Sequence, residues 1–358
     1  MNLRKLLFGH DTIECAYYLS AQGQSRLDFG LLSALKEGMR HSKRADAIAL
    51  TLGGDDFLLQ GYGTKSGYPY VIQNPNYSIQ FGEFNSPSFF VTYRSAGLWQ
   101  HGALGLHRRF VAWAEGLGFQ AFRPEGLSRV DFTFDYCLPE IDFDEDSFVS
   151  LAQKDTQYRK DARIQSFQYG MGGDVVLRVY NKVDEINEQS AKTWFFDLWG
   201  VAEHVWRIEW QTRKDLLRRF RIRTFEELLS GQGDVLRYLA QEHDTLRVKN
   251  SDSNRSRWPL HPLWQDLQRQ IAELDYQGVY REIDQEALLN ERLMRAAISI
   301  YGYLKRVAAL HGLQRGEDVV SMQAATERLQ ALIAKVHDPL TWAPDVRKRM
   351  DTMRLGQW

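Results

Sequence analysis

The chain has little cysteine, no long apolar run and almost no net charge. Two cysteines in 358 residues, Cys15 and Cys137, are too few for a disulfide framework or a zinc cluster. No stretch approaches the roughly 20 apolar residues that a membrane span needs. The apolar run after Arg4 and Lys5 is too short for a signal peptide. These absences point to a reducing cytoplasm and exclude a membrane partner. A formal net charge of −1 means that the chain as a whole makes no electrostatic case for nucleic acid, so any such case must be local.

What is present is an ordinary globular composition, 44% hydrophobic and 25% charged, in a chain long enough for two or three cores. Three stretches alternate as half-buried strands do, with successive side chains on opposite faces. In 173–182, Val175, Leu177 and Val179 form an apolar face, and Arg178, Tyr180 and Lys182 lie opposite beside Val176. In 127–136, Val130, Phe132, Phe134 and Tyr136 oppose Arg129, Asp131, Thr133 and Asp135. In 205–211, Trp206, Ile208 and Trp210 oppose Arg207, Glu209 and Gln211. If the three share a sheet with these faces aligned, two aspartates, a glutamate, a tyrosine and a lysine meet on one surface. All-oxygen carboxylate ligands suit a hard cation, Mg²⁺ or Mn²⁺. A cation beside a tyrosine and several arginines suits attack on a phosphodiester.

Taken together, Arg-Val-Asp-Phe-Thr-Phe-Asp at 129–135, Arg-Val-Tyr-Asn-Lys at 178–182 followed by Glu185, and Arg-Ile-Glu at 207–209 resemble the signature strands of a replication-initiator family. Its members serve rolling-circle plasmids, filamentous phages and conjugative elements. The resemblance covers roughly 75–225 and does not choose among these replicons. It implies an enzyme that nicks one strand of origin DNA, with Tyr180 as nucleophile, leaving a 5′-phosphotyrosine and a free 3′-hydroxyl. Asp131, Asp135 and Glu209 are then the metal ligands; the nine histidines contain no His-x-His pair to serve instead. Lys182 and Arg178 are expected to offset transition-state charge and to lower the tyrosine pKa. A polymerase would extend the 3′-hydroxyl, and a host helicase is a further expected partner.

Before these strands, Thr12–Ser20 reads as a strand and 31–39 as a helix. Short strands follow at 47–52, 57–61, 68–73, 77–81 and 89–93, with a helix at 98–117. The Gly61–Gly67 stretch lacks P-loop spacing and reads as a hairpin turn. The acidic run from Asp142 lacks the glycine and glutamate of a calcium loop and reads as a helix start. Gln165–Tyr169 and Asp174–Lys182 form a hairpin across a glycine turn, and 183–199 reads as one helix. Between Arg207 and Arg223, seven cations face two carboxylates. Arg207, Arg213, Lys214, Arg218, Arg219 and Arg221 are therefore candidates for phosphate contact.

The order of elements predicts an α+β fold: a curved, mainly antiparallel sheet from two similar α+β halves, helices on one face, and a C-terminal helical domain. Residues 1–250 form the nicking domain, 251–258 a polar linker, and 259–358 a helical domain suited to dimerisation, a partner, or origin reading. A second reading keeps the basic segment and the helices but makes the polar strand faces structural ion pairs. That describes a non-catalytic DNA-binding regulator of a phage or plasmid.

Overall fold

The fold was derived from a computed structural model, which describes residues 4–23, 25–41, 47–160, 163–274 and 285–354. Two compact units divide the chain, Met1–Arg281 and Glu282–Trp358.

In the first unit the elements run β1 (Arg4–Tyr17), β2 (Leu19–Ala21), α1 (Phe29–His41), β3 (Ala47–Leu52), β4 (Asp55–Gln60), β5 (Tyr70–Gln73), β6 (Tyr77–Phe81), β7 (Phe89–Tyr93), α2 (Ser95–Gly116), β8 (Phe119–Ala121) and β9 (Gly126–Cys137). They continue as β10 (Phe148–Ser150), β11 (Asp155–Lys160), β12 (Arg163–Tyr169), β13 (Val175–Asn181), α3 (Lys182–Glu185), α4 (Trp194–Trp199), β14 (Val205–Arg213), α5 (Lys214–Arg219), α6 (Phe225–Tyr238), β15 (Asp244–Leu246) and α7 (Pro262–Ala272). Eleven of the strands form one antiparallel sheet in the order β11-β12-β13-β14-β9-β1-β7-β6-β5-β4-β3.

That order contains the same path twice. The first strand of each half, β1 or β9, pairs with the last, β7 or β14, and the earlier strands then step outward toward the edge. β1 and β9 pair antiparallel at the centre and join the halves into one sheet. The two α+β halves expected from element order are thus visible in the pairing, although their residues do not repeat.

One face of the sheet is apolar from β13 across to β6. Val130, Phe132, Phe134, Ile208, Trp210, Leu177, Val179, Ile13, Val91 and Ile79 are all buried there. Helices α1, α2, α6 and α7 cover this face through ring contacts such as Tyr17–Phe110, Tyr93–Phe225 and Trp210–Trp264. The opposite, polar face is covered at one end only. There α3 and α4 bring Val183, Ile186, Phe195 and Trp199 against Leu7, Trp99 and Val205 in a second small core.

Several local expectations change. The helix read over 183–199 is broken: α3 passes into a π turn at Ile186–Ser190 and stops at Ala191, whose φ of 52° is left-handed. The polar stretch 155–160, whose residues show no apolar alternation, is edge strand β11. The β12–β13 turn requires Gly170, where φ is 89° and a Cβ would lie 2.5 Å from the Val175 carbonyl oxygen. The acidic run holds only a short 3₁₀ turn, capped by Asp144.

The polar 251–258 segment does not separate two bodies. Arg255 donates to the Phe148 carbonyl and the Trp258 indole donates to the Asp252 carbonyl. Helix α7, placed by sequence in the C-terminal domain, belongs to the first unit. Its Trp264 is fully buried, and Asp266 accepts from the Tyr136 hydroxyl at 3.0 Å.

The second unit holds α8 (Gln285–Arg315), α9 (Met322–Val336) and α10 (Pro339–Arg354). Ala325 of α9 and Gly312 of α8 are buried where these two helices meet. No helix among the described residues is long and apolar enough to cross a membrane.

Candidate active site

The polar faces of β13, β14 and β9 do align. Tyr180 sits opposite Arg207, which sits opposite Asp135. One row along, Arg178 faces Glu209 and Glu209 faces Thr133; in the next, Gln211 faces Asp131. Alternation holds each side chain to this face because its neighbours on the strand are locked into the core beneath.

Three arginine–carboxylate pairs organise the surface. Arg207, fully buried, grips Asp135 with Nε at 2.7 Å and Nη2 at 2.9 Å, and reaches Asp11 of β1 with Nη1 at 2.7 Å. The Trp199 indole donates to the same Asp135 at 2.9 Å. Arg129 holds Asp131 through Nε, at 2.8 Å, and Nη2, and reaches Glu14. Arg178 donates to Glu209 Oε1 at 2.9 Å and to the side-chain oxygens of Gln211 and Gln168. Charge-assisted bonds of this kind, bidentate for Arg207 and Arg129, are the strong class of hydrogen bond.

Tyr180 donates its hydroxyl proton to the other oxygen of Glu209, Oε2, at 2.9 Å. Burial raises its pKa well above 10, and the Glu209 charge raises it further against the pull of Arg207. The expectation that Arg178 and Lys182 lower this pKa is therefore corrected. Arg178 is neutralised by Glu209. Lys182 is buried, lies 5.5 Å from the tyrosine ring centre, and is bound to Glu185. Its own pKa is lowered by burial and then by Arg207.

The tyrosine ring opens to a cavity of about 240 Å³, which Arg178, Gln168, Tyr158 and Glu185 also line. An adjoining cavity of about 870 Å³, bounded by Arg159, His204 and Trp206, shares Gln165, Asn181, Asp184 and Glu188 with the first. The two adjoin at the Asn181 end of β12 and β13 as one groove beside Tyr180.

The proposed metal ligands do not form one set. Asp131 and Asp135 are four residues apart on one strand, a Cα separation of roughly 13 Å. Two carboxylates that share an ion at about 2.1 Å from each must lie far closer than that. Each is also held by its own arginine, and Glu209 is shared between Arg178 and Tyr180. Among the described residues no group of three or more His, Cys, Asp or Glu side chains could hold a metal ion. The donor chemistry suits Mg²⁺ or Mn²⁺, but the arrangement does not. Burial pushes the Asp131 carboxyl up to about 7, with Glu209 adding to the rise, although Arg129 pulls the other way.

Arg207 is likewise removed from the phosphate-contact group, since a fully buried guanidinium cannot meet DNA. Arg213, Lys214, Arg218, Arg219 and Arg221 are exposed, with Arg219 lying over the Tyr238 ring. They begin six residues beyond Arg207 on β14, about 20 Å along the strand from the row that holds Tyr180.

The residue that sequence reading missed is Asp11. It ties Arg207 to Lys192 and to Ser95 at the start of α2. It sits at a register shift between His10 and Thr12, so simple alternation could not assign it to this face.

No family model matches the chain, and no curated protein is similar to it in sequence. A solved structure, a rolling circle replication initiator protein from Geobacillus stearothermophilus, aligns with the chain. The likeness has a TM-score of 0.43 and 14% sequence identity, and covers 78% of this chain and 100% of that one.

Proposed function

We propose that this protein is a rolling-circle replication initiator, a DNA strand-transferase that nicks one strand of its origin with Tyr180. The observation that carries this reading is the Tyr180 hydroxyl, hydrogen-bonded to Glu209 at the edge of a groove and beside the half-exposed Arg178. A phenol whose pKa lies well above 10 is scarcely ionised at neutral pH, so it needs a base within hydrogen-bond reach. Glu209 is that base.

The tyrosine oxygen attacks the phosphorus while its proton passes to Glu209. The bond from phosphorus to the 3′ oxygen breaks, and that oxygen takes a proton from water. A 5′-phosphotyrosine and a free 3′-hydroxyl result, the latter a primer for a polymerase. Arg178 offsets the phosphate charge, and its bonds to Gln168 and Gln211 keep it in place when Glu209 is protonated. Arg207, Asp135 and Asp11 hold the strands under the tyrosine. No step is assigned to a metal ion. Origin DNA is the substrate, and the exposed Arg213–Arg221 segment supplies phosphate contacts outside the nicking centre.

The test is supercoiled origin DNA with wild-type protein and with Tyr180→Phe. The wild type relaxes the DNA and forms a covalent adduct whose phosphotyrosyl peptide contains Tyr180. The variant binds DNA and does neither. An adduct mapped to Tyr158 or Tyr169 overturns the assignment.

One observation favours the alternative, a DNA-binding regulator without chemistry: each candidate carboxylate is already matched by an arginine. Specific origin binding by the wild type without relaxation or adduct under any divalent cation would establish that reading.

A further inference from the structure

A second tyrosine lies on the same face of the sheet as Tyr180, nearer its edge. Tyr158 of β11 faces Ser166 of β12, and Ser166 faces Tyr180 of β13, so the three form one row across the strands. Neighbouring strands lie about 4.8 Å apart, which places the Cα atoms of the two tyrosines roughly 10 Å from each other. Only the short Ser166 side chain stands between them, and all three residues line the cavity of about 240 Å³. The Tyr158 ring is 59% exposed and so has a face free to receive a ligand. Just past it the β11–β12 pairing slips: Arg159 faces Ile164, and Gln165 is left over as a bulge. Gln165 lines both cavities of the groove, and Gln189 of the π turn lines the first. Among the described residues neither amide has a side-chain hydrogen-bond partner.

We propose that this slot holds one unpaired nucleobase beside the scissile phosphate, stacked on Tyr158 and chosen for its exocyclic amino group. An exposed tyrosine next to a small residue is a stacking platform, and every base has a π face to lay on it. The volume selects a single ring system, since it lies below the roughly 300–1,000 Å³ of a drug-sized ligand site. A base enters; its pairing partner does not. The wall formed by Asp184 and Glu188 is acidic. It repels a phosphate, so the backbone stays on the Arg178 side and the base points inward. Carboxylates only accept hydrogen bonds, so this wall takes the amino group that adenine, cytosine and guanine carry and thymine lacks. Gln165 and Gln189 both donate and accept, and serve the remaining ring nitrogens and carbonyls of the same base. The inference rests on the nicking reading for its substrate, because it places the base beside Tyr180.

The probes are single strands of oligo-dT about twelve nucleotides long, one of them with a central 2-aminopurine. That base is fluorescent, carries an exocyclic amino group and is quenched when stacked. With the full-length wild type its fluorescence falls on binding, and the strand that carries it binds about 5-fold more tightly than plain oligo-dT. Tyr158→Ala abolishes the quench and weakens binding of the probe by roughly 5–150-fold, the usual effect of removing a base-stacking ring. Tyr158→Phe keeps both. Undiminished fluorescence in the bound wild type, a quench retained by Tyr158→Ala, or equal affinity for the two strands would overturn the proposal. The slot and the nicking reading fail separately, because the binding assay involves no strand break. A quench that depends on Tyr158, in a protein that forms no adduct with supercoiled origin DNA, keeps the slot and removes the nicking; an adduct without a quench does the reverse.

Discussion

Replacing Arg207 with leucine leaves two carboxylates without their shared counter-ion. Asp135 is fully enclosed, and it loses two hydrogen bonds at 2.7 and 2.9 Å while keeping only the Trp199 indole. Asp11 loses one bond at 2.7 Å but keeps Ser95 and Lys192. Removing one member of a buried ion pair costs about 3–5 kcal/mol. Unfolding entropy near 2 cal/mol/K per residue converts this, for the Met1–Arg281 unit, to a fall in Tm of roughly 5–8 °C. Adding Asp135→Asn removes the worse-placed of the orphaned charges and should restore more than half of that loss. The pH dependence has a definite sign. Burial would raise the Asp11 pKa, but Arg207 first and then Lys192 hold it below the usual carboxylate range. A depressed pKa contributes stability that is present above about pH 4 and is lost as the pH falls through the native value. The gap between Arg207→Leu and wild type should therefore narrow from pH 6 to pH 3. Scanning calorimetry of both variants across that range measures each quantity. A variant that melts within about 1 °C of wild type, yet binds DNA with a shallower salt dependence, would show that Arg207 is a phosphate contact and refute the reasoning.

Glu209→Gln should slow single-turnover adduct formation by roughly 10²–10⁴-fold while leaving DNA binding intact, the usual effect of losing a general base. The residual rate should climb with pH, because Tyr180 must then ionise without help; a variant with wild-type rate and pH profile rules Glu209 out. Arg213→Ala, Lys214→Ala and Arg218→Ala combined should weaken binding to any DNA and lower the salt slope by up to about 0.9 log unit for each phosphate left unneutralised. An unchanged slope in fluorescence anisotropy would make the segment a solvated surface. Asp131, with its native pKa raised to about 7, contributes stability below pH 4 that is lost as the pH rises to about 7. Denaturant titrations of Asp131→Asn should accordingly show a flatter dependence over that interval, and an unchanged slope would mean that Arg129 keeps Asp131 ionised.

Much of the strand architecture was legible because alternation is a local property. β3, β6 and β7 fall where their apolar periods place them, and β9, β13 and β14 present the faces read from their residues. Their joining in one sheet does not follow from any one strand. It rests on the pairing of β14 with both β13 and β9, and so on contacts between residues far apart in the chain. The broken helix after Lys182 was illegible for a similar reason. The stretch has helical composition throughout, and the packing of Phe195 and Trp199 over the polar face accompanies its break at Ala191.

The sequence by itself determined which side chains of β9, β13 and β14 lie on the polar face, because strand period two allows no other assignment once the apolar face is buried. Only the tertiary structure decided their partners. Arg178, Arg207 and Arg129 each lie across a strand or beside a carboxylate, and every guanidinium takes the nearest anion in a medium where an unpaired charge is far costlier than in water. That pairing takes up the three expected metal ligands, Asp131 and Asp135 each in an arginine clamp and Glu209 between Arg178 and Tyr180. It also withdraws Arg207 from the surface, and it leaves Tyr180 with a proton to give and a carboxylate placed to receive it.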